Sequence, residues 1–284
     1  MWRRGRHAAD VKPRQHGFQP PQPGVPVSTP SSALPHPSAT SIFAALPQAK
    51  LSLDGHVDVL PLQIRAADSH GVRSSARILI DRRYAGRGYR TGSASTGDEE
   101  QRVTLVAVDG EAVVGTLSVG FDGEQGLLVD DLFKAEADAM RSQGRTLCEF
   151  TKLAMEVPKH AQRILAALFH LAFIHAHAIR GCSTLLIEVN PRHVRFYELK
   201  LGFKVAGPTR HNRRVDAPAV LMVLDLAYVH DQIRRLAGKP PEETATERRE
   251  RSLFPLGFSP REEAGIIERL RRAQPQAASA PLMQ

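Results

Sequence analysis

The chain has 284 residues, of which 42% are hydrophobic, and its formal net charge at pH 7 is +8. This is enough apolar material for one large packed domain or two small ones. The positive charge favours an acidic partner, whether nucleic acid, an anionic membrane or an acidic carrier protein, without choosing among them. The two cysteines, Cys148 and Cys182, are far apart in the sequence, which argues against a disulfide framework or a zinc knuckle and fits a reducing cytoplasm.

Residues 1–58 are predicted to form a disordered tail. They are rich in Pro, Ser, Ala, Gln and Gly, a composition that cannot offset the entropy lost on ordering. Prolines between Pro13 and Pro30 occupy the place where a signal peptide needs its apolar run. No later window approaches the ~20 apolar residues of a membrane helix. We therefore expect a soluble cytoplasmic protein, with peripheral membrane contact left open.

The folded domain is predicted to begin at residue 59. Residues 60–65 alternate like a first strand, and the apolar residues within 68–81 recur at the spacing of one helix face. Two β-branched runs on either side of Asp109-Gly110 predict an antiparallel hairpin.

The second half of the chain continues this mixed order. It predicts a helix over 130–141, a strand over 146–155, a long apolar helix over 160–179, a strand over 185–189, a short helix from Pro191, a strand from Phe203 and a last strand over 219–226. The result is one α/β domain over residues 59–232. Residues 233–284 mix Glu and Arg with prolines and are predicted as a polar, partly helical and mainly solvated extension.

One stretch carries a family pattern. Asn190-Pro191 ends a β-branched run, and it is followed by Phe196-Tyr197 and then by Leu201-Gly202-Phe203. This order resembles the second half of GNAT-type acyltransferases. The resemblance implies a GNAT-like mixed, mostly antiparallel sheet flanked by helices.

A second stretch narrows the resemblance. Gly126-Leu127-Leu128-Val129-Asp130 and Cys148-Glu149-Phe150-Thr151-Lys152 are similar to the N-acyl amino acid synthases of the FeeM type, which are related to acyl-homoserine lactone synthases, and the similarity spans roughly residues 60–230. Two positions depart from the family's usual pattern. Lys152 stands in place of an arginine, so a point charge replaces a bidentate contact, and Leu128 stands in place of a proline.

The resemblance implies an N-acyltransferase that moves a fatty acyl group from an acyl carrier protein to the amine of an amino acid. The alternatives are an acyl-homoserine-lactone-type autoinducer synthase and a non-catalytic GNAT-like module that binds acyl carrier protein. A nucleic-acid partner is not expected, because basic strands interleaved with aromatics are missing.

The segment Val157–Ile164 bears on the acyl donor. Related enzymes that use acetyl-CoA hold its pyrophosphate on a Gly-x-Gly turn, and this segment contains no glycine. Lys159 and Arg163 are instead predicted to bind the single phosphate of a phosphopantetheine arm. We therefore expect acyl-phosphopantetheine on an acidic acyl carrier protein as donor, and no permanently bound cofactor.

Two residues are predicted to be catalytic. Glu149 lies in a strand of mostly uncharged residues, where burial would raise its pKa and suit it as the base; an ordinary ion pair with Lys152 or Arg145 is the alternative. Tyr197 is predicted to protonate the leaving thiolate, and packing of a Phe-Tyr pair in the core is its alternative.

Several further residues are candidates for the acceptor site. Asp130 and Arg141 offer opposite charges to a zwitterion, or else serve a helix start and a helix end. His193 is a second base candidate or a capping residue. The resemblance also implies that the segment carrying Arg77 and Tyr84 covers the acceptor. The full predicted set of substrate-binding residues is Arg77, Tyr84, Asp130, Arg141, Asn190 and His193.

No metal site is predicted. His170, His175 and His177 are separated by five and two positions, which does not place ligands one helical turn apart on a single face. An apolar lining for the acyl chain is expected from the helix segment 164–174 and the strand segment 220–224.

Overall fold

A computed structural model describes residues 49–50, 63–89, 101–156, 161–239 and 252–273. The predicted tail over 1–58 lies outside these residues apart from Ala49–Lys50, and Lys159 also lies outside them. The described strands are β1 (Ala49–Lys50), β2 (Gln63–Ala66), β3 (Arg102–Asp109), β4 (Ala112–Phe121), β5 (Leu147–Met155), β6 (Thr184–Val189), β7 (Lys204–Val205), β8 (Arg210–Asn212) and β9 (Ala217–Asp225).

These strands form a mixed sheet in the order β1-β2-β3-β4-β5-β6-β9-β7, and β8 also pairs with β9. Every pair is antiparallel except β5 with β6. The predicted mixed and mostly antiparallel sheet is therefore confirmed. The helices that flank it are α1 (His70–Ala85), α2 (Asp130–Ser142), α3 (Ala161–Phe173), α4 (Val194–Leu201), α5 (Leu226–Leu236) and α6 (Pro260–Ala273).

The parallel pair is short, and the sheet opens beyond it. β5 and β6 pair only from Leu147↔Thr184 to Glu149↔Leu186, although β5 continues to Met155 and β6 to Val189. Past Glu149 the two strands separate and leave a gap, which we call the β5–β6 gap. β5 also carries an extra residue opposite β4, with Lys152 in the left-handed region at φ 54°, and such a bulge bends a strand.

α3 covers one face of the sheet. It is apolar on nearly every side, as a helix buried beneath other elements must be. Gly115 of β4 lets it come close, because a Cβ there would lie 3.1 Å from Leu168 Cδ1. The helical stretch Ala161–Ile179 is long and apolar enough to cross a membrane, but 67% of its apolar window is buried within the protein, as expected of a core helix.

α1 and α2 cover the opposite face. Ala76 of α1 packs on Val106 and Val108, and Phe133 of α2 packs on Leu147. The helix expected within 68–81 is α1, and at its start the Ser69 side chain accepts a hydrogen bond from the Val72 N–H at 3.3 Å.

The short helix of the family pattern also forms as predicted. The Asn190 side chain accepts a hydrogen bond from the Arg192 N–H at 3.2 Å and so begins a 3₁₀ turn over Pro191–His193. α4 follows, and Gly202 ends it at φ 81°, a conformation that glycine adopts without a steric penalty.

The C-terminal region differs from its prediction as a mainly solvated extension. Leu253, Phe254 and Phe258 are buried in the same core as α3, as are Ile266 and Leu270 of α6. Polar composition is misleading here because both α5 and α6 are amphipathic, with one apolar stripe each among charged residues. Residues 252–273 are therefore part of the folded domain.

This placement is testable by stability. Replacing Phe258, which is 2% exposed, by alanine should lower the free energy of unfolding by about 3–5 kcal/mol. The matched control is Ile78→Ala, at a side chain that is 65% exposed, where a change within about 0.5 kcal/mol is expected. Urea denaturation followed by circular dichroism measures both. Equal stability of the two variants would mean that the segment is not part of the cooperative core.

Candidate active site

A row of polar side chains lies buried on the sheet face that α1 and α2 cover. The strand register pairs Arg102 with Gly120 and Gly120 with Glu149, so these residues form one line across β3, β4 and β5. The hydroxyls of Thr104 and Ser118 are hydrogen-bonded at 2.9 Å one step along the same face. Buried sheet faces are normally apolar, so a polar row at this place indicates a functional site.

Glu149 is the centre of this row and is completely buried. Its Oε1 accepts a hydrogen bond from Arg102 at 3.1 Å, and its Oε2 accepts one from the Val129 N–H at 3.1 Å. Arg102 also donates to the Thr151 hydroxyl at 2.9 Å. The alternative ion-pair partners Lys152 and Arg145 are thus replaced by Arg102, which the sequence analysis did not identify.

Burial raises the pKa of the Glu149 carboxyl above its usual range. The positive charge of Arg102 and the backbone N–H groups of Leu128 and Val129 offset part of that rise. A carboxyl group with a raised pKa at the opening of a sheet has the property that a general base requires near neutral pH.

Gly120 makes room for this arrangement. A Cβ at position 120 would lie 2.9 Å from Glu149 Cγ, 3.0 Å from its Oε1 and 3.3 Å from Arg102 Nη1. No side chain fits between the two charged groups. Glycine in the central strand therefore allows the guanidinium to reach across β4 to the carboxylate.

Glu188 of β6 is a second buried carboxylate, which no local sequence pattern marks. It lies on the same face as Leu186, the register partner of Glu149, and its Oε1 is buried without a hydrogen-bond partner among the described residues. Burial raises the pKa of Glu188, Arg214 opposes the rise, and the charge of Glu149 adds to it. The two carboxyl groups therefore interact across the separating strands.

The other oxygen of Glu188 is firmly held. Oε2 accepts hydrogen bonds from the Arg214 guanidinium at 2.8 Å and from the Asn212 side chain. Arg214 also donates to the Leu128 carbonyl at 2.6 Å and to Asp131 at 2.8 Å. One arginine thus connects the loop after β8 to the start of α2 and to the carboxylate pair.

A second group of polar residues lies where the end of α1 meets the start of α4. We call it the tyrosine cluster; it consists of Tyr84, Arg87, Tyr89, Arg192, His193 and Tyr197. The Arg192 guanidinium donates to the Tyr89 hydroxyl at 2.7 Å and to His193 Nε2 at 3.2 Å, and the Tyr84 and Tyr89 rings meet edge to face at 6.0 Å.

Tyr197 lies at the inner side of this cluster. Its ring packs on Phe169 and Phe203 with centroid distances of 6.4 and 5.7 Å. Burial raises the pKa of its phenol, the nearby Tyr84 adds to the rise, and Arg87 opposes it. Burial likewise raises the pKa of Tyr84 to about 12. The Tyr197 ring therefore packs in the core, and its hydroxyl lies in the electrostatic range of the polar residues Tyr84 and Arg87.

The pKa of His193 is lowered by burial and by the positive charges of Arg192 and Arg87. Its imidazole is therefore neutral near pH 7, as a proton acceptor must be. The structure brings together three predicted site residues, Tyr84, His193 and Tyr197, and Asn190 stands one turn before them as a cap.

Asp130 and Arg141, predicted to bind a zwitterion, are instead paired with each other. Arg141 donates to Asp130 at 2.7 Å, to Asp122 at 2.7 Å and to Asp138 at 2.7 Å, and Asp130 also accepts the Leu127 N–H at 2.7 Å. Because all of its donor groups have carboxylate partners, this arginine holds the start of α2 in place. The two side chains therefore have a structural role at the start of α2, and their role in binding the acceptor stays a prediction.

Arg77 also lies away from both groups. It is exposed on α1 and its Nε lies 3.9 Å from Asp81 one turn later, an ion pair of the kind that contributes little. Arg163 lies in the first turns of α3.

The histidines of the α3 region have structural surroundings. His170 Nδ1 accepts a hydrogen bond from the Phe258 N–H at 2.9 Å, and His177 Nδ1 lies 3.0 Å from the Cys182 carbonyl oxygen. Burial lowers the pKa of His175 to about 4. Within the described ranges, no cluster of His, Cys, Asp and Glu side chains could hold a metal ion.

A mostly antiparallel sheet that opens at a parallel pair, with helices on both faces, defines a GNAT-like acyltransferase fold. The family model described as N-acyl amino acid synthase FeeM matches residues 75–225. The chain belongs to this family.

Several solved structures are similar to the chain. FeeM, an N-acyl amino acid synthase from uncultured soil microbes, is 30% identical and superposes with a TM-score of 0.53 over 58% of this chain and 95% of that chain. A putative N-acetyltransferase from Lactobacillus plantarum is 19% identical, with a TM-score of 0.41 over 58% of this chain and 98% of that one. MesI, a CoA-dependent acyl-homoserine lactone synthase, is 16% identical, with a TM-score of 0.40 over 63% of this chain and 86% of that one. No curated protein matches the chain.

The role of Gly120 is testable by a double-mutant cycle on stability. Gly120→Ala should lower the free energy of unfolding by about 1–3 kcal/mol, because the methyl group overlaps the Glu149 side chain. In a Glu149→Ala background the same change should cost much less, since the Glu149 atoms are gone and only the flexible end of Arg102 lies close. Denaturant unfolding of the four proteins gives the coupling. An equal cost in both backgrounds would show that Gly120 does not serve Glu149.

Proposed function

We propose that the chain transfers a fatty acyl group from the thioester of an acyl carrier protein to the amine of an amino acid, giving an N-acyl amino acid. The observation that carries the proposal is the buried Glu149, held by Arg102 at the point where β5 and β6 separate. Membership of the FeeM family supports N-acyl transfer as the reaction class.

The reaction begins with attack of the amine on the thioester carbonyl in the β5–β6 gap. The tetrahedral oxyanion then needs hydrogen-bond donors, since preorganised donors supply much of the stabilisation in acyl transfer. Backbone N–H groups of β5 between Glu149 and Leu153 are suited to this, because β5 has no pairing with β6 beyond Glu149.

The amine must lose a proton as the new bond forms. Glu149 takes it, directly or through a water molecule, and its raised pKa makes the carboxylate a stronger base than an exposed one. The Oε1 of Glu188, which has no hydrogen-bond partner among the described residues, attracts the amine while it is still an ammonium group. The ammonium group gives its first proton to solvent, and the neutral amine that results attacks the carbonyl and passes its second proton to Glu149. Glu188 acts in this mechanism as a binding group and Glu149 as the base.

The thiolate leaves with a proton from Tyr197. Burial keeps the phenol protonated at the working pH, so the proton is present until negative charge develops on sulfur. The neighbouring His193, Tyr84 and Asn190 line the acceptor side of the site in this proposal.

The donor assignment rests on charge and on the start of α3. Lys159 and Arg163 would hold the phosphate of the phosphopantetheine arm where the sequence has no glycine turn for a pyrophosphate. The net charge of +8 favours an acidic carrier protein.

Lipid profiling of expressing cells tests the function. Extracts should contain new N-acyl amino acids by mass spectrometry when the wild-type chain is expressed, and Glu149→Gln should reduce them about 10²–10⁴-fold because a general base is lost. Glu111→Gln is the matched control, at an exposed carboxylate in the β3–β4 turn. Absence of any new lipid from the wild type would overturn the proposal, as would full activity of Glu149→Gln.

The two carboxylates are separable by kinetics on purified protein. Glu188→Gln should raise KM for the amine more than it lowers kcat, because it removes an attractive charge and leaves the base in place. Glu149→Gln should lower kcat. If Glu188→Gln instead lowers kcat and Glu149→Gln raises KM, then Glu188 is the base and Glu149 the binding group.

The pH dependence follows from the raised pKa of Glu149. The base acts as carboxylate, so kcat/KM should fall as the pH drops through a pKa that lies above the ordinary glutamate value of 4.5. Tyr197→Phe should lower the rate but leave the pH at which kcat/KM falls unchanged. If kcat/KM falls only at a pKa of 4.5 or below, Glu149 is not the base.

A further inference from the structure

The chain carries a folded addition beyond the family match. The match ends at residue 225, and the FeeM structure is covered over 95% of its length by 58% of this chain. α5, α6 and the segment Leu253–Phe258 lie after residue 225 and are buried against the core of the matched domain. These elements pack on the side of the sheet that carries α3, and they lie outside the region that the family model matches.

Part of this addition closes a small apolar cavity. The cavity has a volume of about 30 Å³, roughly twice the space that one water molecule needs. α3 forms one wall, the sheet forms another, and the segment Leu253–Phe258 forms the far end. The lining residues are Phe150, Ala166, Phe169, His170, Phe173, Leu185, Leu201, Leu224, Leu226, Val229, Ile233, Leu253, Phe254 and Gly257.

The cavity is connected by position to the proposed reaction site. Phe150 follows Glu149 directly in β5, so its side chain lies on the other face of the sheet, in the cavity wall. Position 150 is also the first in β5 with no β6 partner. Phe150 therefore borders both the β5–β6 gap and the cavity.

Hydrogen bonds fix the closing segment at both ends. The Leu253 N–H donates to the Lys200 carbonyl at 2.9 Å, and the Phe258 N–H donates to His170 Nδ1 at 2.9 Å. Between them, Phe254 is buried and meets the Tyr228 ring at 6.3 Å. Gly257 permits close approach, because a Cβ there would lie 2.7 Å from His170 Nδ1. The segment is thus held in one position over the cavity.

From this geometry we propose that the cavity receives the terminal carbons of the acyl chain, and that Phe254 limits the length of chain that the enzyme accepts. The proposal rests on the acyl transfer proposed above. A saturated chain is the ligand class that matches the lining, since each further methylene that is buried strengthens binding about fourfold. A chain that reaches Phe254 gains nothing from additional carbons.

Two substitutions with opposite effects test the proposal. Phe254→Ala opens the end of the cavity and should shift the preferred acyl chain to greater length, with the ratio of kcat/KM for long over medium chains rising about fifteenfold, as for about two methylenes. Ala166→Leu fills the cavity from α3 and should shift the preference to shorter chains. The substrates are saturated acyl-pantetheine thioesters in a graded series, and Ile78→Ala on the exposed face of α1 is the control.

Binding of the same thioesters, measured by isothermal titration calorimetry, keeps the test independent of catalysis. Phe254→Leu serves if Phe254→Ala does not fold. An unchanged length preference in Phe254→Ala, Phe254→Leu and Ala166→Leu overturns the chain-length proposal and leaves acyl transfer standing. If no variant acylates an amine but the length dependence of binding shifts as expected, the cavity assignment stands and the proposed function falls. If the wild type neither acylates nor binds the series, both fall.

Discussion

The pair formed by Arg102 and Glu149 is the interaction on which the rest of the site depends. Removing two charges from water is costly, and breaking such a pair by deleting one partner typically costs about 3–5 kcal/mol. The chain accommodates the pair by placing glycine between its members and by supplying a backbone N–H to the second carboxylate oxygen. This polar arrangement lies between two apolar clusters on the same face, one under α1 and one under α2, so the surrounding core compensates for it.

The residues proposed as catalytic lie in two different places. The carboxylates of Glu149 and Glu188 lie on one face of the sheet, whereas the Tyr197 ring packs on Phe169 of α3. Tyr197 interacts electrostatically with Tyr84 and Arg87, and Glu149 with Arg102. In the proposed mechanism, a substrate in the β5–β6 gap would therefore have its proton acceptor on one side and its proton donor on the other, while the acyl group moves from sulfur to nitrogen.

The sequence predicts most elements of this fold and part of the site. Hydrophobic period and turn residues are local signals, so the β3–β4 hairpin, α1, α2 and the short helix that begins at Pro191 follow directly from them. Glu149 is recognisable because a carboxylate in an apolar strand is unusual. The roles of Arg102 and Arg214 are not recognisable from the sequence, because their partners lie 47 and 26 residues away and only strand register brings them together. The same reason applies to Glu188. The burial of the C-terminal helices is not predicted because each helix has only a narrow apolar stripe.

The short parallel contact between β5 and β6 has a mechanical consequence. It joins the half-sheet β1–β5 to the half-sheet β6–β9 through only three paired positions, so between the strands the two halves are held mainly by side chains and by the helices that cover the boundary. An acyl donor lying in the gap would supply contacts to both halves that the protein itself does not make there. The donor would then act as a missing strand of the sheet, and its departure after transfer would return the boundary to its weakest state.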